Sequence, residues 1–174
     1  MKILAILFVI AIAGVIGFAS SKPDSFHVER ARRMHAPPEK IFPLINDFSN
    51  WDAWSPWVAK DPAIEITMSD KTSGMGAMYE WAGNNDVGRG RMEVVTVLPL
   101  RAVRLKRSIF EPMVARNAVE FSLQAFGEYT KVTWSMRGSM DFLTKLTSTF
   151  MSMDDLVGPD LELGLNRLQM LAEK

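Results

Sequence analysis

Two histidines, His27 and His35, lie eight residues apart, where an imidazole could serve as a general base or metal ligand. Both fall on or just after a segment that reads as an edge strand, where exposed or locally bonded rings are the ordinary outcome. A second group is acidic: Asp154-Asp155, with Asp160 and Glu162, offers paired carboxylates for acid–base work. The same residue types at a helix start or bend more commonly cap it and face solvent. A third group is basic. Arg101, Arg104, Lys106 and Arg107 cluster in the sequence, and two of them alternate outward along a strand, so a solvated face is expected.

Several other chemistries are excluded outright. The chain has no cysteine, so disulfides, iron–sulfur clusters, thiolate zinc sites and cysteine nucleophiles are ruled out. Two histidines cannot build a three-histidine metal site. Gly74-x-Gly76 and Gly88-x-Gly90 lack the spacing and context of a dinucleotide loop and read as strand breaks or bulges. No Gly-x-Ser-x-Gly elbow or phosphate loop is present. Neither metal nor cofactor is expected. Twenty Lys+Arg balance twenty Asp+Glu, so no basic face marks a nucleic-acid partner. At 48% hydrophobic and 23% charged residues, the 174-residue chain is globular.

The elements that must position these groups follow from periodicity. Phe26 to Met34 alternates as a strand, and Ala36-Pro37-Pro38-Glu39 starts a helix in which Ile41, Phe42, Leu44, Ile45 and Phe48 recur at helical spacing. Asn50 to Trp57 is dense in tryptophan and broken by Pro56, a short helix or turn with bulky side chains aimed inward. After Asp61-Pro62 the period becomes two. Strands are predicted around Ile64–Ile66, Met78–Ala82, Val87–Leu98, Arg101–Phe110, Met113–Ala125 and Tyr129–Gly138, with turns at 83–86 and 126–128. A long helix closes the chain, and Gly158-Pro159 should kink or break it. The order predicts an α+β domain with a curved antiparallel sheet of six to seven strands.

Ahead of it, residues 3–19 are all apolar or glycine. Seventeen such residues lie between the roughly 7–15 of a signal-peptide core and the roughly 17–25 of a spanning helix. Gly17 and Ala19 suit cleavage after Ala19. An uncleaved anchor and a cleaved signal both stay open, and a buried helix would need a polar stripe. The expected division is therefore 1–21 as anchor or signal, 22–25 as linker and 26–174 as the domain. Positive charges at Lys22, Arg30, Arg32 and Arg33 favour a cytoplasmic domain. The short Lys-bearing start favours export, and hence an extracytoplasmic, periplasmic domain.

One long helix cannot fill the hollow of such a sheet, so an apolar cavity between them is physically plausible, while a solid core of the same composition is the other reading, because aromatic and methionine stripes usually pack. The residues predicted to line it are Trp54, Trp57, Tyr79, Trp81, Met92, Phe121, Trp134, Met136 and Met153, with Met140 nearby. Methionine thioethers suit surfaces that accept varied apolar partners.

Val28-Glu29-Arg30, Ala36-Pro37-Pro38-Glu39-Lys40-Ile41-Phe42, Asn46-Asp47-Phe48, Trp51-x-x-Trp54-Ser55-Pro56-Trp57 and Asp61-Pro62 resemble the opening of the bacterial polyketide cyclase/dehydrase and lipid-transport group. That group belongs to the START-like, or SRPBCC, superfamily. The likeness continues through Tyr79-x-Trp81-x-Gly83-Asn84, Gly88-x-Gly90-x-Met92, Trp134-x-Met136-x-Gly138 and Gly158-x-Asp160-x-Glu162-x-Gly164-Leu165. It implies the helix-grip fold, a partial barrel around the C-terminal helix enclosing an apolar ligand tunnel. Activity does not follow from the fold. The first expectation is a membrane-tethered or exported module that binds a lipid or other hydrophobic small molecule, with residues 3–19 as its membrane contact. The alternative is a cyclase- or dehydratase-type enzyme acting on a polyketide-like or other hydrophobic substrate. An inward, perturbed Glu80, His35 or Arg107 would favour the enzyme. A protein-interaction module is a third reading and would need an exposed apolar patch.

Overall fold

A computed structural model describes residues 2–174. Its elements are α1 (Lys2–Ser20), β1 (Ser25–Met34), α2 (Pro38–Asn46), a 3-10 turn (Phe48–Ala53), α3 (Pro56–Lys60), β2 (Glu65–Met68), β3 (Met78–Ala82), β4 (Arg89–Leu98), β5 (Ala102–Glu111), β6 (Ala115–Phe126), β7 (Tyr129–Ser139), α4 (Phe142–Thr147) and α5 (Met153–Ala172).

The seven strands form one sheet in the order β1-β7-β6-β5-β4-β3-β2, every pairing antiparallel. β1 is an edge strand, as the sequence reading expects, and β2, from the period-two run after Asp61-Pro62, forms the other edge. Alternation sets which face is buried. On β7, Thr130, Val132, Trp134 and Met136 point inward, and Phe121 and Leu123 do so on β6. α5 lies along β1 and closes the sheet, burying Leu161, Leu165, Leu168 and Ala172. Gly164 allows a close approach to the aromatic core. A Cβ there would come within 2.6 Å of the Trp134 ring.

The break in the terminal helix falls at residues 148–152, not at Gly158-Pro159, and α5 runs through Pro159. Ser152 supplies the reason. Its hydroxyl accepts from Asp155 N–H while the Asp155 carboxylate accepts from Ser152 N–H, a capping box that starts a new helix at Met153. The apolar stripe Phe142, Leu143, Leu146, Phe150 therefore belongs to α4 and the connecting loop.

Register places Phe26, Gly138, Asn117 and Arg107 on one cross-strand row. That row lies at the pole of the domain from which the chain leaves for α1. The β3–β4 turn, the β5–β6 hairpin and the start of α5 share this pole. α1 is 19 residues long, about 28 Å at 1.5 Å per residue, close to the roughly 30 Å hydrocarbon core of a bilayer. Among the described residues it is the one helix long and apolar enough to cross a membrane. Most of its side chains are exposed, but Ala19 is fully buried where α1 meets α4. Two ties hold that junction: Lys22 Nζ donates to Ser148, and Lys145 pairs with Asp24 at 2.5 Å.

Candidate functional site

The tryptophan-rich turn after α2 is pinned by its own indoles. Trp51 Nε1 donates to the Ile45 carbonyl at 3.0 Å and Trp54 Nε1 to that of Leu44 at 2.9 Å. This aims both rings into the sheet. Trp54 meets Trp134 edge-on at 5.7 Å, and Trp134 stacks on Phe121 at 4.7 Å. Trp54, Phe121 and Trp134 are fully buried and interlocked. They fill the middle of the grip.

Two adjoining spaces remain on the side of α3. One is an enclosed pocket lined by Trp51, Ser55, Trp57, Ile64, Tyr79, Trp81, Met92 and Arg107. Its free space is about 10 Å³, room for about one water. The other is an open cleft of about 580 Å³ between α3, the β3–β4 turn and the first half of α5. Trp57, Lys60, Asp86, Val87, Arg107, Met136, Leu156, Val157 and Asp160 line it. That volume is within the range of small-molecule sites, roughly 300–1,000 Å³. Of the nine residues expected to line a cavity, Trp57, Tyr79, Trp81 and Met92 face the pocket, and Trp57 and Met136 face the cleft. Trp54, Phe121 and Trp134 form the packed stack behind them, and Met153 is half-buried at the start of α5.

Arg107 is the side chain common to both spaces that carries charge. It does not join a solvated face. Arg104 does, pairing with Glu120 at 3.0 Å on the outer surface, and Lys106 is exposed as well. Strand alternation accounts for the difference, because Arg107 is in phase with the buried Val103 and Leu105. That phase was the available signal, masked by the run of basic neighbours. The guanidinium lies 5.4 Å from the Trp57 ring centre and 5.7 Å from that of Trp81. Burial lowers its pKa from the ordinary arginine range to about 10, with the nearby Asp160 charge opposing the shift, so it stays protonated at neutral pH. No carboxylate bonds it. Nε is buried without a partner, and Nη1 reaches only the Met136 sulfur, at 4.0 Å.

The other candidate groups are engaged elsewhere. Asp160 is held by Lys60 at 2.6 Å, and Asp154 makes two 2.8 Å bonds with Arg30. Glu80 pairs with Arg91, half-exposed on the outer face. His27 and His35 are not brought together: His27 sits beside Glu29, and His35 beside Glu128 and Tyr129. Burial pushes the Tyr79 hydroxyl well above its ordinary pKa, and the Asp52 charge adds to the effect, so it cannot act as a base at pH 7. Among the described residues no group of three His, Cys, Asp or Glu could hold a metal ion. The site thus offers aromatic surface and one fixed cation. It can bind an apolar body and neutralise a negative charge.

The model of the polyketide cyclase/dehydrase and lipid transport family matches residues 25–173. The chain belongs to that family. Its sheet and terminal helix are the helix-grip arrangement of START-like proteins. The solved structures it resembles include the hypothetical protein jhp0584 from Helicobacter pylori, with a TM-score of 0.63 and 10% identity over 89% of this chain and 92% of that one. The Aha1 dimer from Colwellia psychrerythraea aligns with a TM-score of 0.60 and 17% identity over 85% and 96% of the two chains. Protein CV1439 from Chromobacterium violaceum gives 0.58 and 13%, over 88% and 99%. At such identities the likeness is one of fold. No curated protein matches the chain.

Proposed function

We propose that this family member is a membrane-tethered or exported module that binds a lipid or other hydrophobic small molecule and does not transform it. The observation that carries the reading is the open cleft of about 580 Å³ walled by Trp57, Met136, Leu156 and Val157. Burying roughly ten methylenes there would contribute about 8 kcal/mol. Association costs an estimated 4–15 kcal/mol, so binding is modest unless a polar contact is added. α1, by length and composition, supports the tether; the short Lys-bearing start supports export of the domain.

A cyclase or dehydratase is the second reading, favoured by the buried Arg107 cation, which would stabilise an enolate-like charge. Two of its candidate groups are unsuited to the role of base, because Tyr79 stays protonated and Asp160 is held by Lys60. Binding is the simpler account. The test is solvent extraction and native mass spectrometry of the full chain purified from membranes in mild detergent. A co-purifying lipid or other hydrophobic molecule, lost on Trp57→Ala, supports the proposal. A protein that arrives empty and takes up no apolar probe refutes it.

A further inference from the structure

Arg107 and Asn117 are neighbours across β5 and β6, both directed into the grip. Each is a hydrogen-bond donor whose side chain bonds no oxygen. Arg107 Nη1 reaches the Met136 sulfur at 4.0 Å, and Asn117 Nδ2 reaches the same sulfur at 3.9 Å. A thioether is a weak acceptor, so two donors share one poor partner. Arg107 Nε, buried as well, has none. The indoles of Trp57 and Trp81 lie 5.4 and 5.7 Å from the guanidinium. A buried charge without a counter-ion is unfavourable unless something brings the opposite charge.

We propose that Arg107 is the subsite for a carboxylate at the end of an amphiphilic ligand whose apolar body lies in the cleft. This rests on the hydrophobic-ligand reading above and names the ligand's polar group. The charges lining the cleft sum to zero, so it is the unpartnered guanidinium itself that favours a single negative group over a dianion. The cleft is lined by Lys60, Arg107, Asp86 and Asp160, two of each sign, and Lys60 is already held by Asp160. Arg107 and Asp86 remain, and Arg107 is the cation that no carboxylate bonds. A dianionic phosphate would overfill it and meet Asp160 and Asp86. A planar carboxylate fits the guanidinium fork through two parallel bonds, using the Nε that now has no partner. Asn117 Nδ2 is placed to donate to the same oxygens.

The experiment uses the full chain in mild detergent, with cis-parinaric acid and its methyl ester as probes. Energy transfer from tryptophan to the polyene reports binding at the cleft. The expected result is that the acid binds at least tenfold more tightly than the ester. Arg107→Met should erase that preference while leaving ester binding within about twofold, and Asn117→Leu should reduce it several-fold. Arg104→Met, on the outer face, should change neither. Equal binding of acid and ester to the wild type overturns the proposal, as does a preference that survives both inner substitutions. Dodecyl phosphate displacing the probe better than dodecanoate overturns the choice of carboxylate. Failure of both probes to bind would instead refute the hydrophobic-ligand reading itself. If Arg107→Met does not fold, the Asn117→Leu arm and the acid–ester comparison on wild type still decide the matter.

Discussion

Removing the buried cation should make the unliganded protein more stable. Arg107→Met keeps the length and most of the apolar volume of the side chain and deletes its charge. The pKa depression from the ordinary arginine range to about 10 corresponds to about 3 kcal/mol of unfavourable burial. Two indole faces return about 0.5–1 kcal/mol each through their contact with the cation. The net gain expected is about 1–2 kcal/mol. With a urea slope near 2 kcal/mol/M, the midpoint should rise by roughly 0.5–1 M at unchanged slope. The assay is urea unfolding at pH 7 of ligand-free protein, followed by tryptophan fluorescence. The sign with pH is also fixed. Because the folded-state pKa is below the unfolded one, the unfolded chain binds more protons between about pH 10 and 12.5, so wild-type stability rises there and the gap to the variant narrows. A variant that is unchanged or less stable at pH 7 would refute the claim that the burial of Arg107 is not offset by an ion pair.

Two further outcomes test the packing and the ion pairs. Gly164→Ala should destabilise the domain in thermal melts, although alanine favours a helix by about 1 kcal/mol. The new Cβ would lie 2.6 Å from a Trp134 ring that Phe121 and Trp54 hold in place, and overpacking of this kind costs about 1–3 kcal/mol; a stabilised variant would show that the ring is free to shift. Asp154→Asn should flatten the acid limb of the stability curve. Arg30 holds the Asp154 carboxyl below its usual 3.8, so the pair's contribution is present above that pH and lost as pH falls through the folded-state value. Circular dichroism titrations of both proteins between about pH 5 and 2 would check this, and identical curves would show that the exposed pair contributes nothing.

Strand positions were legible because six inward-outward alternations survive in the residue types, most clearly Val132, Trp134 and Met136 against Lys131, Thr133 and Ser135. The break between α4 and α5 was not. An apolar stripe continues across it, and by residue type alone proline is a stronger stop than a serine whose effect depends on a partner three residues later. The site was legible in composition but not in division of labour. Trp54, Trp57, Trp81 and Trp134 are the same residue type, and only their neighbours decide which pack and which wall an opening. Arg107 was hidden for the opposite reason: three basic neighbours give the segment the look of a solvated edge, while its phase with Val103 and Leu105 turns it inward.

The pole shared by the cationic row and the root of α1 has a bearing on traffic. Met113 and Val114 at the tip of the β5–β6 hairpin and Phe150 before α5 stand exposed at that same end, Val114 at 80% and Phe150 at 79%. From Arg107 to that tip is about seven residues along the strand, or roughly 23 Å when extended. Under the proposed tether, with α1 embedded, the mouth of the grip would be directed at the headgroups and its closed end at water. An amphiphile would then leave the leaflet tail-first or head-first through one doorway, without a journey around the outside of the molecule.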